Sequence, residues 1–191
     1  MQPNLDRIID LAEQVSAPLG LSVVEARLSQ QGKQRSLEVT IYRKGGRIAL
    51  NDCEQVSRQL EELLDGQSPP VIEGSFLLEV QSPGIDRKLK SEREFQVFAG
   101  QPVEVKTKEK IGELGFELKG KLVGMDKGKV VLAQPTILKT AQGKKGGKKQ
   151  SSIAVAASTS TLESLEIEIE KVIHVRLVPE EPKADEPPLD I

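Results

Sequence analysis

At 191 residues the chain has room for two small domains rather than one large enzyme core. Its single His and single Cys fall short of the three or four ligands a zinc site requires, and 3% aromatic content without tryptophan leaves little for stacking RNA bases. The net charge of −2 excludes a uniformly basic nucleic-acid binder.

Residues Asn4 to Ala17 suit an amphipathic helix, because Leu5, Ile8, Ile9, Ala12 and Val15 recur at three- and four-residue spacing. Pro18 and Gly20 stop it. Val24, Ala26 and Leu28 then alternate with Val23, Glu25 and Arg27, and after Gln30-Gln31-Gly32-Lys33 the residues Leu37, Val39 and Ile41 alternate with Glu38, Thr40 and Tyr42. Two such runs around a polar turn predict a hairpin. A second helix is expected from Asn51, with Glu54 three residues on as in a capping box, burying Cys53, Val56, Leu60 and Leu63 or Leu64 and ending near Gly66.

The next strand is read at 76–81, where Phe76, Leu78 and Val80 alternate with Leu77, Glu79 and Gln81. The order αββαβ, with each strand apolar on one face, predicts two helices covering one side of a three-stranded sheet. The strand runs into Ser82-Pro83-Gly84. Pro83 presets φ for a turn, and Gly84 is expected at the positive φ of a type II turn. That turn delivers Asp86, Arg87, Lys88 and Lys90, with Arg93 close behind, onto a connector. Two readings stand for it: a cationic binding edge, or an ordinary linker in which Asp86 pairs with Arg87. Ser91-Glu92-Arg93-Glu94 forms a capping box opening a short helix with Phe95 and Phe98, and the domain boundary is placed after residue 98.

From 99 to 178 the period is two almost throughout. Val103, Val105 and Thr107 mark one strand; Phe116, Leu118, Gly120 and Leu122 a second; Val130 and Leu132 a third; Leu165, Ile167 and Ile169 a fourth; Ile173, Val175 and Leu177 a fifth. Five short strands with Gly-rich turns predict a small, strongly bent barrel. Residues 139–161, rich in Lys, Gly, Ser and Thr, read as a flexible insertion with a brief strand around Ile153, Ala154 and Val155. Residues 179–191, with one Lys against five acids, read as a disordered acidic tail.

No catalytic constellation emerges. His174 shares the phase of Arg176, opposite the apolar Ile173, Val175 and Leu177, and Cys53 sits on the second helix's apolar stripe. Gly115 to Lys121 imitates a phosphate loop, but Leu122 stands where Ser or Thr holds magnesium, and no helix follows. Cations are the better candidates. Residues 99–178 carry fourteen Lys and Arg against nine acids, while residues 1–98 carry twelve against fifteen. Three groups stand out: Arg87, Lys88, Lys90 and Arg93 at the junction; Lys106, Lys108 and Lys110 on one face of the first barrel strand; and Lys144, Lys145, Lys148 and Lys149 in the insertion. Such density attracts phosphate by counterion release, although Glu104, Glu109 and Glu113 lie near enough to neutralise the second group. The lone Cys, the lack of an export-type N-terminus and the lack of an apolar run of about 20 residues predict a soluble, cytoplasmic protein with no membrane partner.

The run Glu79-Val80-Gln81-Ser82-Pro83-Gly84-Ile85-Asp86-Arg87, followed by Leu89 and Phe95, resembles the signature of the bacterial ribosome maturation factor RimP family, with weaker agreement from about Leu5 to Pro179. The resemblance implies an α+β protein: an N-terminal αββαβ two-layer domain at 1–98 and a C-terminal SH3-like small β-barrel at 99–178. It also implies a non-catalytic, cofactor-free assembly factor that binds the immature small ribosomal subunit in the cytoplasm. The barrel is expected to contact the twelfth small-subunit ribosomal protein, small-subunit rRNA is a further candidate partner, and a monomer is expected. Ser82, Pro83, Gly84 and Asp86 join the cations above as candidate subunit-binding residues. The insertion and the acidic tail depart from the family pattern. One rival is a general RNA-binding module of KH-like type, whose Gly-x-x-Gly loop between helices is not evident here, since Gly112-Glu113-Leu114-Gly115 falls in the barrel. A hydrolase or nucleotide enzyme is the other, disfavoured by the missing site chemistry.

Overall fold

A computed structural model describes residues 5–32, 34–84, 86–138 and 163–178. The chain divides into two compact units, Met1–Phe98 and Ala99–Ile191. The architecture is mixed α+β, with three α-helices among the described residues.

In the first unit, α1 (Leu5–Ser16) buries Ile8, Leu11, Ala12 and Val15. These lie at i, i+3, i+4 and i+7, one continuous face. Leu5, expected on that face, is instead exposed, because the stripe is centred on Leu11. A 3-10 turn at Ala17–Leu19 holds Pro18, and Gly20 closes it at φ 70 with its N–H on the Ala17 carbonyl. β1 (Ser22–Gln31) and β2 (Gln34–Tyr42) pair antiparallel, with a register shift between Val23 and Glu25. The shift buries Val23 and Val24 together, where strict alternation buries only one.

Next comes α2 (Leu50–Asp65), one residue earlier than expected and capped differently. Asp52 Oδ2 accepts the Ala49 N–H at 2.9 Å, so Asp52, not Glu54, supplies the reciprocal half of the cap. Ala49 has no side-chain acceptor for the other half. Helix α2 is the crossover to β3 (Leu77–Gln81), which pairs parallel to β2, giving the sheet order β1-β2-β3. Both long helices cover one face: Val56, Leu60 and Leu64 join Ile8, Leu11, Leu37, Val39 and Ile41 in one core, with Cys53 and Leu63 half-buried against it. Beyond β3 come the two-residue strand β4 (Lys88–Leu89) and α3 (Glu92–Val97). The Ser91 box forms as its sequence predicts: Ser91 Oγ accepts from the Glu94 N–H, and Glu94 Oε2 accepts from the Ser91 N–H at 2.9 Å. Phe95 and Phe98 are buried, and the Phe98 ring lies 4.8 Å from that of Tyr42.

In the second unit, β5 (Pro102–Ile111), β6 (Gly115–Asp126), β7 (Lys129–Ile137), β8 (Ser164–Glu168) and β9 (Val172–Leu177) run antiparallel in the order β9-β5-β6-β7-β8. Among the described residues this ladder does not close into a ring. Val103, Val105, Thr107, Leu118, Leu122, Val130, Leu132, Ile167 and Val175 are buried. Phe116 and Ile173, expected to face inward, are both 52% exposed, and Ile169 lies in a 3-10 turn rather than in a strand. The pairings of β5 with β6 and with β9 both shift register beyond Lys106, so regular alternation stops where those side chains emerge. The 139–161 insertion, with Lys144, Lys145, Lys148, Lys149 and the strand expected at 153–155, and the 179–191 tail lie outside the described residues.

Candidate functional site

The helices leave the second face of the β1-β2-β3 sheet polar, carrying Glu25 and Arg27 from β1, Glu38 and Thr40 from β2, and Gln81 from β3. The segment that follows β3 contributes Asp86, Arg87, Lys88 and Lys90, and together these residues line a cleft of roughly 410 Å³.

Arg87 spans two acids. Its Nε donates to Glu94 Oε1 at 2.6 Å, and its Nη2 donates to Glu25 of β1. The Glu94 side chain is only 3% exposed, and its second oxygen accepts the Lys90 N–H at 2.6 Å and the Ser91 N–H at 2.9 Å. Burial pushes the Glu94 carboxyl up, but the Lys90 and Ser91 amides and the Arg87 guanidinium together outweigh it and hold the group below the ordinary glutamate range. Burial likewise works against the Arg87 charge, and Glu25 and Glu94 overcome it, so the guanidinium is held more firmly protonated than usual. Arg87 therefore ties the connector to β1 and to the start of α3.

Arg93 has a comparable position. Its Nε donates to the Val23 carbonyl at 2.8 Å, and its Nη2 pairs with Glu13 of α1. Glu13 in turn accepts the Val23 N–H at 3.0 Å. Side chains thus satisfy both backbone groups of Val23 near the start of edge strand β1.

Lys88 and Lys90 differ from these arginines. Both are exposed and flank the buried Leu89, an alternation that sends them to the same side. Ser82 and Gly84 are exposed, and Pro83 is half-buried. Gly84 does not adopt the left-handed conformation expected of it: its φ lies outside that region, and a Cβ placed on it meets nothing within 4 Å. The fixed φ of Pro83 is compatible with extended continuation of the chain, so the segment needs no type II turn there.

In the second unit Lys106 Nζ pairs with Glu117 Oε1 at 2.8 Å, and Lys108 Nζ donates to the Glu170 carbonyl at 2.6 Å, while Lys110 is exposed. Two of the three acids named as neutralisers act elsewhere. Glu104 pairs with Arg176, and Glu109 lies 4.0 Å from Lys171. His174 is half-buried opposite Lys106 in the β5–β9 register. Burial, and then Asp52, pushes the Cys53 thiol up, as suits a packing residue rather than a nucleophile. Among the described residues no group of three or more His, Cys, Asp or Glu could hold a metal, and no helix is long and apolar enough to cross a membrane.

Sequence reasoning missed Arg27, Glu25 and Glu94. Arg27 and Glu25 share the polar phase of β1, a signal present in the sequence. Their meeting with residues some 60 positions later depends on the return of the chain after β3.

The sheet, its two covering helices and the polar cleft define a domain of mixed α+β class. Residues 11–86 match the RimP N-terminal domain family. Two relatives, the ribosome maturation factors RimP of Microcystis aeruginosa and Rippkaea orientalis, are each 40% identical, over 132 and 133 residues. Those alignments cover 69% of this chain and 83% and 84% of the relatives. The chain belongs to the RimP family of ribosome maturation factors.

Proposed function

We propose that this protein is a non-catalytic ribosome maturation factor that binds the immature small ribosomal subunit in the cytoplasm and assists its assembly. The observation carrying this reading is the 40% identity to two ribosome maturation factors over most of their length. The antiparallel second unit is assigned to the SH3-like barrel class, and its partner to the twelfth small-subunit ribosomal protein, as the family resemblance implies. Cations supply the attraction for rRNA around that contact. The KH-like alternative is weaker, because Gly112 and Gly115 bracket a 3-10 turn between two strands rather than a loop between helices.

The test is sedimentation of cell extract followed by detection of the protein across the gradient. Enrichment with immature small subunits and depletion from polysomes is the expected result. Equal abundance in polysomes, or no ribosomal association, overturns the reading.

A further inference from the structure

We infer that the cleft on the open face of the N-terminal sheet binds the sugar-phosphate backbone of an RNA strand through Arg27, Lys88 and Lys90. This deepens the proposed function by naming the ligand chemistry of one site, and it rests on that reading.

Of the four cations that the sequence places at the junction, Arg87 and Arg93 are consumed internally by Glu25, Glu94 and Glu13. Among the described residues no side chain engages Lys88 or Lys90 in this way, and they line the cleft from one wall. Arg27 reaches the same cleft from β1, so three exposed cations converge from two directions. The acids around them are partly committed: Glu25 is held by Arg87, and Glu38 accepts from Ser29 Oγ at 3.4 Å. Asp86 also lines the cleft and offsets part of the positive charge, which favours a single phosphodiester path over a densely charged polyphosphate. A volume of roughly 410 Å³ lies within the range of about 300–1,000 Å³ typical of small-ligand clefts, enough for a nucleotide-sized stretch of backbone.

The lining also argues against base readout. It contains no aromatic side chain, and Tyr42, on the same strand face, packs its ring against Phe98. A site with cations but no stacking platform positions a strand without reading its sequence. Neither does the cleft present a glycine-rich loop or a helix N-terminus for a free nucleotide's phosphates.

The experiment compares the full chain with the variant Arg27→Gln/Lys88→Gln/Lys90→Gln, using transcribed small-subunit rRNA as probe across a range of salt concentrations. Thermal unfolding of the variant is expected to match the parent, because all three side chains are exposed. Lys144, Lys145, Lys148 and Lys149 stay in both proteins, so the difference reads the cleft alone. Loss of up to three phosphate contacts should weaken binding about tenfold at low salt and reduce the salt slope by about 2, at roughly 0.7 per contact on a single strand. Unchanged affinity and slope overturn the proposal. So does complete displacement of rRNA from the parent by millimolar inorganic phosphate at matched ionic strength, which defines a small-anion site instead. If the triple variant binds rRNA like the parent yet both still sediment with immature subunits, the cleft assignment fails while the ribosomal role stands.

Discussion

Arg87 and Glu94 meet through a 2.6 Å hydrogen bond inside the first unit, and the Glu94 side chain is almost wholly removed from solvent. The arginine of the Ser-Pro-Gly-Ile-Asp-Arg signature thus works as an internal fastener. It holds the segment carrying Lys88 and Lys90 against β1, which fixes the direction those lysines face. Substitution at Arg87 therefore acts on the proposed binding surface through placement as well as through charge.

Glu94→Ala should destabilise the protein by about 2–3 kcal/mol. It takes one of two carboxylate partners from a half-buried guanidinium and leaves the Lys90 and Ser91 amides without their acceptor. Arg87→Ala should cost a similar amount, and the double variant less than the two single losses added, because both remove the same interaction. Urea unfolding of the three variants measures this. Single losses below about 0.5 kcal/mol, or simple addition, would show that the pair is not coupled.

The same carboxylate predicts an acid-sensitive limb. Glu94 has a folded-state pKa below its ordinary value of 4.5, so its contribution is fully present above that value. It is lost as the pH falls from about 4.5 through the lower folded value. Glu94→Gln should therefore be less stable than the parent at pH 7, and the gap should narrow through this acid window. Denaturant midpoints taken from pH 7 to pH 3 check the sign; a constant gap would place the acid sensitivity on another group.

Gly84→Ala and Gly20→Ala should part company. Gly84 lies outside the left-handed region with open space around it, so Ala there should be neutral or stabilise by about 0.4–1 kcal/mol through the unfolded chain. Gly20 sits at φ 70 and closes the turn after α1, so Ala there should cost about 1 kcal/mol. Thermal unfolding of both variants decides it. A large loss at Gly84 would restore the strained-turn reading of the signature.

The contrast shows where the sequence is legible. Signals within one element survive: the apolar spacing of Ile8, Ala12 and Val15, the Ser91–Glu94 box, and the alternation of Leu37, Val39 and Ile41 all specify local structure directly. Signals that depend on distant partners do not. Arg87 finds Glu25 across 62 positions and Arg93 finds Glu13 across 80, so nothing nearby announces that these cations are already occupied. The cap of α2 was obscured for a different reason. Ala49 has no capping side chain, and only the Asp52 carboxylate marks the boundary. Phe116 and Ile173 departed from their expected phase because register shifts in β5 break the period on which that expectation rests.

Lysines with equal formal charge on β5 should contribute unequally to subunit binding. Lys106 is paired with Glu117 at 2.8 Å and must leave that carboxylate to reach a phosphate, whereas Lys110 is exposed near the end of the strand. An exposed pair is worth up to about 1 kcal/mol, enough to discount Lys106 as a contact. Lys110→Gln should therefore reduce the salt slope for binding immature small subunits by about one phosphate contact. The charge-neutral double variant Lys106→Gln/Glu117→Gln should leave both slope and affinity close to those of the parent. Replacing Lys144, Lys145, Lys148 and Lys149 with Ser should flatten the slope further than Lys110→Gln does, since four charges are removed. Titrations of labelled subunits at several salt concentrations compare the three variants with the parent. A double variant that loses as much as Lys110→Gln would identify Lys106 as a direct phosphate contact and its pairing with Glu117 as dispensable.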